Sequence, residues 1–393
     1  MKPSPAYGPG MTIGVLGAGQ LGRMFAMAAV RMGFQVHVFA PDANDAPASA
    51  FATQSTQAEW SDEDALRTFA RTCDVVTLEF ENVPLASVDV VEAFAPVRPG
   101  REVLRITQDR SLEKEFLTGC AIPVAPWWPV NSEDDLRAVA AELQGSGLLK
   151  TARLGYDGKG QRSVTPDAGE LVAAWRDLGE VACVLEQRVA LATEVAVVVA
   201  RSEAGEMRTH PVIETRHVNG ILDLAEVPAS VSEDLQREVR EMACAMAEGL
   251  NLHGIACLEC FVTTDGRVLA NEIAPRPHNS AHLTIEACST SQFEQQVRAV
   301  TGFPLDEPVL LESAVMSNLL GEHTPTGEEA KGAWMRAASV PGVSIHLYGK
   351  HEARHGRKMG HLTAIGIGVD EARGRAIEAR AALTEPHAAA SNE

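Results

Sequence analysis

The chain has little positive charge and no long hydrophobic run. Lys and Arg number 34 against 53 Asp and Glu, which gives a formal net charge of −19. Nucleic acids and anionic membranes attract positively charged proteins, so this balance predicts that neither is a partner. No apolar stretch has the length needed to cross a bilayer, and VALATEVAVVVA is short and contains Glu194.

Cysteine is present without the spacing that would indicate a disulfide framework. The seven residues are scattered and odd in number, which favours reduced thiols in a cytoplasmic protein. Cys257 and Cys260 have C-x-x-C spacing, which could indicate a zinc or redox site. The stretch ACLECFV is typical of a strand, however, where positions three apart point to opposite faces. We therefore predict that both cysteines belong to the hydrophobic core.

The first residues, MKPSPAYGPG, carry Pro and Gly in place of an apolar signal core, and we expect a disordered arm over residues 1–10. The next hundred residues alternate strands and helices, which predicts a parallel sheet with a site at the carboxyl ends of its strands. Later segments are typical of an α+β fold with antiparallel strands. With 393 residues, two or three domains are expected.

Residues 13–24, IGVLGAGQLGRM, contain three glycines in G-x-G-x-x-G spacing after a buried strand. This spacing is typical of a dinucleotide-binding loop and indicates an NAD-dependent dehydrogenase as one interpretation. Asp42 lies about 20 residues further on, where such a loop would be followed by a ribose-binding acid.

The segment IACLECFVTTDGRVLANEIA predicts a hairpin with a two-residue turn at Asp265-Gly266. Counting outward from a Thr264–Arg267 pair places Glu259 directly opposite Glu272. Facing carboxylates repel each other, and this repulsion is offset when they share a hard cation such as Mg²⁺. A solvated pair, or a register slipped by one residue, is the alternative. The apolar neighbours favour the metal, with the Asn271 amide beside it.

A second glycine-rich loop occurs in KTARLGYDGKGQ, where Gly155, Gly158 and Gly160 would let the backbone approach phosphate oxygens. Lys150 and Lys159 add mobile positive charges. The loop does not have the Walker A pattern, and a plain hairpin turn is the alternative.

Three further segments carry candidate binding groups. Glu186 and Gln187 end a strand in VLEQRV, a weak signal for an adenine pocket. In NEIAPRPHNSAH, two prolines flank Arg276, an arrangement that suits a small oxyanion, and His278 and Asn279 add donors. The run GKHEARHGRKMGH concentrates positive charge in an acidic chain, which favours a phosphate monoester over a solvated face.

These motifs together resemble the 5-(carboxyamino)imidazole ribonucleotide synthase family of the ATP-grasp superfamily. The matching segments extend from about residue 12 to about 365 and are GQLGRM, EFENVP, GYDGKGQ, LEQ, ECFV, NEIAPRPHNS, SQFEQQVRAVTG and GRKMGH. Two positions depart from the family pattern. Ala281 and Leu283 stand where the family usually has Gly and an aromatic residue, and the resemblance places them near the substrate pocket.

The resemblance implies an ATP-grasp fold with three parts after the arm. These are a Rossmann-like domain over 11–107, an ATP-grasp domain over 108–305 with a lid at about 120–190, and a small β-rich subdomain over 306–393. The implied reaction is ATP- and bicarbonate-dependent carboxylation of 5-aminoimidazole ribonucleotide through carboxyphosphate, in purine biosynthesis. A cytoplasmic homodimer is expected. The first glycine loop would face the ribonucleotide, and Asp42 would have no ribose to bind.

The resemblance also assigns site residues. ATP would contact Arg110, Lys150, Gly155, Tyr156, Asp157, Gly158, Lys159, Gly160, Gln161, Glu186, Gln187, Arg188, Val189, Glu194, His217, Asn271 and Glu272. The metal would be Mg²⁺ on Glu259 and Glu272. The catalytic residues would be Arg276, Lys159, His278 and Asn279. The ribonucleotide would contact Gln20, Leu21, Glu79, Tyr156, Arg276, His278, Lys350, Arg357 and Lys358.

Other functions remain open from the residues themselves. Other ATP-grasp ligases, such as formate-dependent glycinamide ribonucleotide transformylase or biotin carboxylase, share the metal hairpin and differ in the acceptor. A dehydrogenase is indicated only by the first glycine loop and leaves the Glu259–Glu272 pair unexplained. A nucleotide sensor would bind ATP without turnover.

Overall fold

The computed structural model describes residues 8–155, 159–327 and 330–384. The N-terminal part is a parallel five-stranded sheet in the order β3-β2-β1-β4-β5. Its strands are β1 (Thr12–Leu16), β2 (Gln35–Ala40), β3 (Gln54–Gln57), β4 (Val75–Leu78) and β5 (Val97–Arg98). Its helices are α1 (Gln20–Arg31), α2 (Glu63–Arg71), α3 (Leu85–Glu92) and α4 (Arg101–Thr107). The predicted parallel sheet is confirmed.

The next part is a four-stranded antiparallel sheet in the order β6-β9-β7-β8. Its strands are β6 (Trp127–Val130), β7 (Gly147–Thr151), β8 (Gln161–Val164) and β9 (Cys183–Gln187). Three helices belong to this region: α5 (Arg110–Gly119), α6 (Glu133–Val139) and α7 (Ala168–Asp177). Leu136, Leu149, Leu171 and Trp175 form a separate core between this sheet and α6 and α7. Strands β7 and β8 flank the second glycine loop, as predicted.

A nine-stranded sheet makes up most of the remaining chain, in the order β15-β14-β10-β12-β13-β16-β18-β17 with β11 beside β10. Its first strands are β10 (Leu191–Arg201), β11 (Met207–Thr209), β12 (Ile213–Val218), β13 (Ile221–Val227), β14 (Gly254–Thr263) and β15 (Val268–Ala274). The later strands are β16 (Ser313–Leu320), β17 (Val343–Leu347) and β18 (Lys358–Gly366). Its helices are α8 (Glu233–Gly249), α9 (Thr284–Ala287), α10 (Gln292–Thr301), α11 (Ala330–Ala338) and α12 (Val369–Thr384).

The C-terminal strands continue this sheet. Strand β16 pairs with β13, where Ala225 lies opposite Met316, and β18 then pairs with β16. Helices α11 and α12 cover one face of these strands, with Leu319, Leu362 and Leu383 in a common cluster. The C-terminal region therefore shares its hydrogen-bonded ladder with the antiparallel strands before it.

Strand β14 is buried on both faces, and this explains its cysteines. Cys260 packs in the cluster beneath α8, and Cys257 packs in the cluster on the opposite face. Both thiols are free and buried, so the predicted core role is confirmed. In the described ranges, no helix is long and apolar enough to cross a membrane.

Candidate active site

The hairpin of β14 and β15 brings Glu259 and Glu272 directly opposite each other. The predicted two-residue turn was wrong. Thr263 N–H donates to Arg267 O at 2.9 Å, so the loop has three residues, with Gly266 in the left-handed region at φ +83°. Val262 consequently faces Val268, and a bulge between Glu259 and Cys260 then shifts the register back. The extra bulge residue, Asn271, joins Glu272 opposite Glu259.

Two adjacent residues of α5 hold this bulge. Lys114 Nζ donates to Asn271 O at 2.8 Å, and Glu113 Oε1 accepts from Ile273 N at 2.7 Å. Both side chains are almost completely buried. Burial and the nearby charge of Glu272 raise the pKa of Glu113 to about 8. The backbone on both sides of Glu272 is therefore fixed by one helix.

Each facing carboxylate also has a cationic or ionisable neighbour. Arg110 Nη1 lies 3.1 Å from Glu272 Oε2, and His278 Nε2 lies 3.0 Å from Glu259 Oε1. Burial opposes ionisation of Glu272, but the positive charges of Arg110 and Lys150 lower its pKa to about 2. These oxygen donors fit Mg²⁺, which takes one or two protein carboxylates and completes its shell with water and substrate phosphates. Within the described residues, no three His, Cys, Asp or Glu side chains converge as a complete metal site.

The nucleotide-binding candidates gather around Glu186 on β9. Lys150 Nζ donates to Glu186 Oε2 at 3.0 Å, and the Lys114 ammonium lies 3.7 Å from the same oxygen. Burial opposes ionisation here too, but these two ammonium groups lower the pKa of Glu186. Arg110 links the region to the glycine loop, because its Nη2 donates to Gly155 O at 3.2 Å.

Two further nucleotide-binding candidates, His217 and Glu194, form a histidine–carboxylate pair. His217 Nδ1 is 2.9 Å from Glu194 Oε2. Although burial acts in the opposite sense, the Glu194 carboxylate raises the pKa of His217. A pocket beside the pair is lined by Thr193, Thr215 and Glu226 as well. Carboxylate and imidazole groups at a pocket wall suit hydroxyl groups of a ribose.

The first glycine loop binds a carboxylate of its own chain. Gly19 N–H donates to Glu79 Oε1 at 2.9 Å, and Gly22 N–H donates to Glu79 Oε2 at 3.1 Å. A Cβ at Gly17, where φ is +109°, would lie 2.5 Å from Glu79 Cγ. Burial raises the pKa of Glu79. These N–H groups at the start of α1 are the ones that hold a pyrophosphate in dinucleotide-binding domains, which argues against the dehydrogenase interpretation.

Arg276 is held by Glu81, which, like Glu79, comes after strand β4. Its Nη2 donates to Glu81 Oε1 at 2.9 Å, and its Nε donates to the other carboxylate oxygen. Burial opposes ionisation of Glu81, but the Arg276 guanidinium lowers its pKa. Nearby, the amide nitrogen and oxygen of Asn279 are buried without a hydrogen-bond partner in the described structure. An unpartnered amide beside a fixed guanidinium is suited to a small oxyanion.

The C-terminal basic segment approaches the first glycine loop. Lys350 Nζ donates to Lys358 O at 2.7 Å, and Arg357 Nη1 donates to Glu352 O at 2.9 Å. A Cβ built on Gly349 would lie 3.3 Å from Arg23 Nη1 on α1, so the start of the basic segment lies close to this helix. Arg23 therefore brings a further cation to the region where the sequence predicts the ribonucleotide phosphate.

The remaining predicted site residues lie in varied surroundings. Leu21 packs in the core beneath α1, next to Gln20 at the start of that helix. Arg188 is exposed and donates from Nη2 to Ser163 Oγ at 3.1 Å. Lys159, Gly160, Gln161, Gln187 and Val189 lie in or beside the four-stranded sheet. Tyr156, Asp157 and Gly158 fall outside the described residues.

Sequence reasoning missed Arg23, Glu81, Glu113 and Lys114. Arg23 and Glu81 stand inside motifs that had already been singled out, GQLGRM and EFENVP. Glu113 and Lys114 occur in a charged helical stretch, and such stretches are usually solvated. The two departures from the family pattern, Ala281 and Leu283, are completely buried in the core under the large sheet.

Comparison with known families gives three successive matches along the chain. Residues 10–108 match the ribonucleotide synthetase preATP-grasp domain. Residues 115–293 match the ATP-grasp domain. Residues 314–375 match the phosphoribosylaminoimidazole carboxylase C-terminal domain.

Individual proteins are similar over nearly the whole length. N5-carboxyaminoimidazole ribonucleotide synthase from Bacillus subtilis (strain 168) is 41% identical over 356 residues, which cover 90% of this chain and 91% of that protein. A crystal structure of N5-carboxyaminoimidazole ribonucleotide synthetase in complex with ADP has a TM-score of 0.90 at 38% identity, covering 96% and 98% of the two chains. The Aspergillus clavatus enzyme, in complex with ADP and 5-aminoimidazole ribonucleotide, has a TM-score of 0.85 at 28% identity, covering 95% and 98%.

Proposed function

The chain belongs to the N5-carboxyaminoimidazole ribonucleotide synthase family of ATP-grasp enzymes, and from this premise we propose how its residues divide the reaction. The resemblance seen in the sequence and the ATP-grasp fold are confirmed. The protein is an ATP-dependent ligase that carboxylates 5-aminoimidazole ribonucleotide in purine biosynthesis. We propose that bicarbonate supplies the carboxyl group and that Mg²⁺ is required.

The observation that carries this proposal is the Glu259–Glu272 pair. The two facing carboxylates lie between Arg110 on one side and His278 on the other. When bound at Glu259 and Glu272, Mg²⁺ would neutralise charge on the β- and γ-phosphates of ATP. Lys150 and Arg110 supply further positive charge from the nucleotide side. Glu194 and His217 bind the ribose hydroxyls.

The first chemical step activates bicarbonate. One bicarbonate oxygen attacks the γ-phosphorus, the bond to the β-phosphate oxygen breaks, and carboxyphosphate and ADP form. Arg276, whose backbone is fixed between Pro275 and Pro277, orients the bicarbonate together with Asn279. Because Arg276 is bound by Glu81, that carboxylate fixes the plane of the guanidinium.

The second step transfers the carboxyl group. The exocyclic amine of the ribonucleotide attacks the carbonyl carbon, or the CO₂ released there, and phosphate departs with the electron pair and takes up the amine proton. Glu79 and the start of α1 face the ribonucleotide, and Lys350, Arg357, Lys358 and Arg23 bind its phosphate. Water would destroy carboxyphosphate, so the lid at about 120–190 closes over the site.

The boundaries at 107/108 and 305/306 remain our proposal, as do a homodimer and a cytoplasmic location. The homodimer rests on the family resemblance alone, and the cytoplasmic location also rests on the scattered cysteines. Size-exclusion chromatography with light scattering tests the oligomeric state, and a single peak at the 42.0 kDa monomer mass would contradict the homodimer.

The test of function is ADP release in Mg²⁺, ATP and bicarbonate, with and without 5-aminoimidazole ribonucleotide. We expect strong stimulation by the ribonucleotide and its loss in Glu272→Gln. ADP release that ignores the ribonucleotide would point to a different acceptor. ADP release that needs no bicarbonate would remove bicarbonate as the co-substrate.

A further inference from the structure

Helix α10 contains three glutamines that are almost completely buried: Gln292, Gln295 and Gln296. They occur in the motif SQFEQQVRAVTG, for which the reaction provides no role. A buried primary amide is costly unless its donors and acceptor are bonded, so each partner of these side chains shows what the helix holds.

Gln292 holds the backbone of His278 from both sides. His278 N–H donates to Gln292 Oε1 at 2.8 Å, and Gln292 Nε2 donates to His278 O at 2.8 Å. The same Nε2 lies 3.1 Å from His282 Nδ1. These contacts fix the main chain of a residue that lies beside the carboxylate pair.

Gln296, one helical turn further on, holds the end of strand β4. Its Nε2 donates to Thr77 Oγ1 at 3.0 Å and to Leu78 O at 3.3 Å. The next residue along the chain is Glu79, the carboxylate at the first glycine loop. Positions i and i+4 share one face of a helix, so one face of α10 contacts both segments.

The rest of α10 lies between the two parts of the molecule. Phe293 and Val297 pack in the core of the N-terminal sheet together with α1. Ala299 packs in the core of the large sheet. The helix is therefore fixed to both parts. The length of one helical turn, from Gln292 to Gln296, sets the distance between the His278 segment and the end of strand β4.

We propose that Gln292 and Gln296 are positioning residues that set the separation of His278 and Glu79 across the ribonucleotide site. This inference rests on the proposed function, which places both of those residues at the ribonucleotide. Neither glutamine contacts a reacting atom. They act through the backbone of the residues that do.

Gln295 provides a matched control on the same helix. It is equally buried and makes two hydrogen bonds, donating from Nε2 to Asp306 O at 2.7 Å and accepting from Asp306 N at 3.2 Å. Its partners lie in the loop after α10, away from the site. Replacement of any of the three by Leu removes buried amide hydrogen bonds, so stability falls in all three variants.

The experiment compares Gln292→Leu, Gln296→Leu and Gln295→Leu by thermal unfolding, by KM for ATP and for the ribonucleotide, and by the ratio of carboxylated product to ADP. We expect the variants at 292 and 296 to raise the ribonucleotide KM about tenfold and to lower the product ratio. KM for ATP stays within about twofold of the wild type. Gln295→Leu loses stability but keeps both KM values and the ratio.

Equal changes in all three variants, or none in the first two, would overturn the proposal. If Gln292→Leu does not fold, Gln292→Glu gives the same test, because it keeps the acceptor for His278 N–H and loses the donor to His278 O. A wild type that shows no turnover with the ribonucleotide refutes the proposed function. A wild type that turns over normally while both variants behave like Gln295→Leu refutes only this inference.

Discussion

The parallel N-terminal sheet and the two antiparallel sheets hold their buried titratable groups with different kinds of partner. On the N-terminal side, Glu79 is held by backbone N–H groups and His37 by the hydroxyls of Thr56 and Thr72, all neutral partners. On the antiparallel side, Glu186 and Glu272 are held by lysine and arginine. Burial raises the pKa of Glu79 despite these N–H donors, whereas neighbouring cations outweigh burial and lower the pKa of Glu186 and of Glu272.

The difference follows from where each sheet places its side chains. A parallel sheet presents residues at strand ends beside helix N-termini, where main-chain dipoles are available. Glu186 and Glu272 lie within β9 and β15, where the main-chain groups are engaged in strand pairing, so charge must come from other side chains. Glu113 is the exception beside the antiparallel sheets: its hydrogen-bond partner is the neutral Ile273 amide, and burial and the charge of Glu272 raise its pKa to about 8.

The largest expected effect comes from removing a charge on the antiparallel side. Glu272→Gln leaves Arg110 without its counter-ion and removes a carboxylate that we propose as a Mg²⁺ ligand, so ADP formation should fall by about 1000-fold. Steady-state ADP release measures the change. Glu241→Gln, an exposed position on α8, is the control and should retain activity. An active Glu272→Gln enzyme would show that the ionised carboxylate is dispensable.

Substitution of Gly17, a crowded position on the N-terminal side, should lower the free energy of unfolding. Gly17→Ala places a Cβ 2.5 Å from Glu79 Cγ at a φ of +109°, and we expect a loss of about 3 kcal/mol of unfolding free energy. In Gly266→Ala, φ is +83° and no described atom lies within 4 Å of the new Cβ, so only about 1 kcal/mol should be lost. Urea unfolding measures both. Equal losses would mean that contact with Glu79 contributes nothing.

The buried ammonium of Lys114 connects the Glu186 carboxylate to the main chain beside Glu272. Lys114→Met removes the hydrogen bond to Asn271 O and a positive charge near Glu186, so the apparent Mg²⁺ requirement should rise about tenfold. A titration of ADP formation with Mg²⁺, and Mn²⁺ binding followed by electron paramagnetic resonance, measure it. Leu117→Met, a change of similar volume on the same helix, should leave the requirement unaltered. A rise in both variants would indicate a general packing defect.

The most gradual effect is a pH dependence of stability on the N-terminal side. Burial lowers the pKa of His37 to about 4 from an ordinary value of 6.5. The unfolded chain therefore takes up the proton first, so stability from this group is complete above pH 6.5 and is lost as pH falls toward 4. The slope is at most about 1.4 kcal/mol per pH unit. Comparison of unfolding curves with those of His37→Asn at several pH values checks it, and parallel pH profiles would contradict it.

The sequence predicted the groups whose position depends on local pattern. The parallel sheet, both glycine loops and the facing of Glu259 and Glu272 follow from strand periodicity and a turn signal. The turn itself was wrong by one residue, because Asp-Gly also fits a three-residue loop with Gly in the left-handed region. The bulge at Asn271 restored the expected pair. No local pattern encodes a bulge that is stabilised by Lys114, which lies 157 residues earlier in the chain.

Contacts between residues far apart in the chain could not be predicted from local sequence pattern for the same reason. Glu81 and Arg276 are 195 residues apart, and Gln296 and Thr77 are 219 residues apart. Polar residues on a helix normally predict a solvent-facing surface. On α10 and α5 they are instead buried between parts of the fold that meet only in three dimensions, where each finds a specific partner.

The bulge at Asn271 also has a consequence for the history of such a hairpin. An inserted residue in a regular strand would turn every later side chain to the opposite face of the sheet. A bulge absorbs the insertion, because two residues share one position on the partner strand. Gain or loss of a residue at 271 therefore leaves Glu272 facing Glu259. Chains descended from a common ancestor can differ in length at this one place while the carboxylate pair is inherited intact.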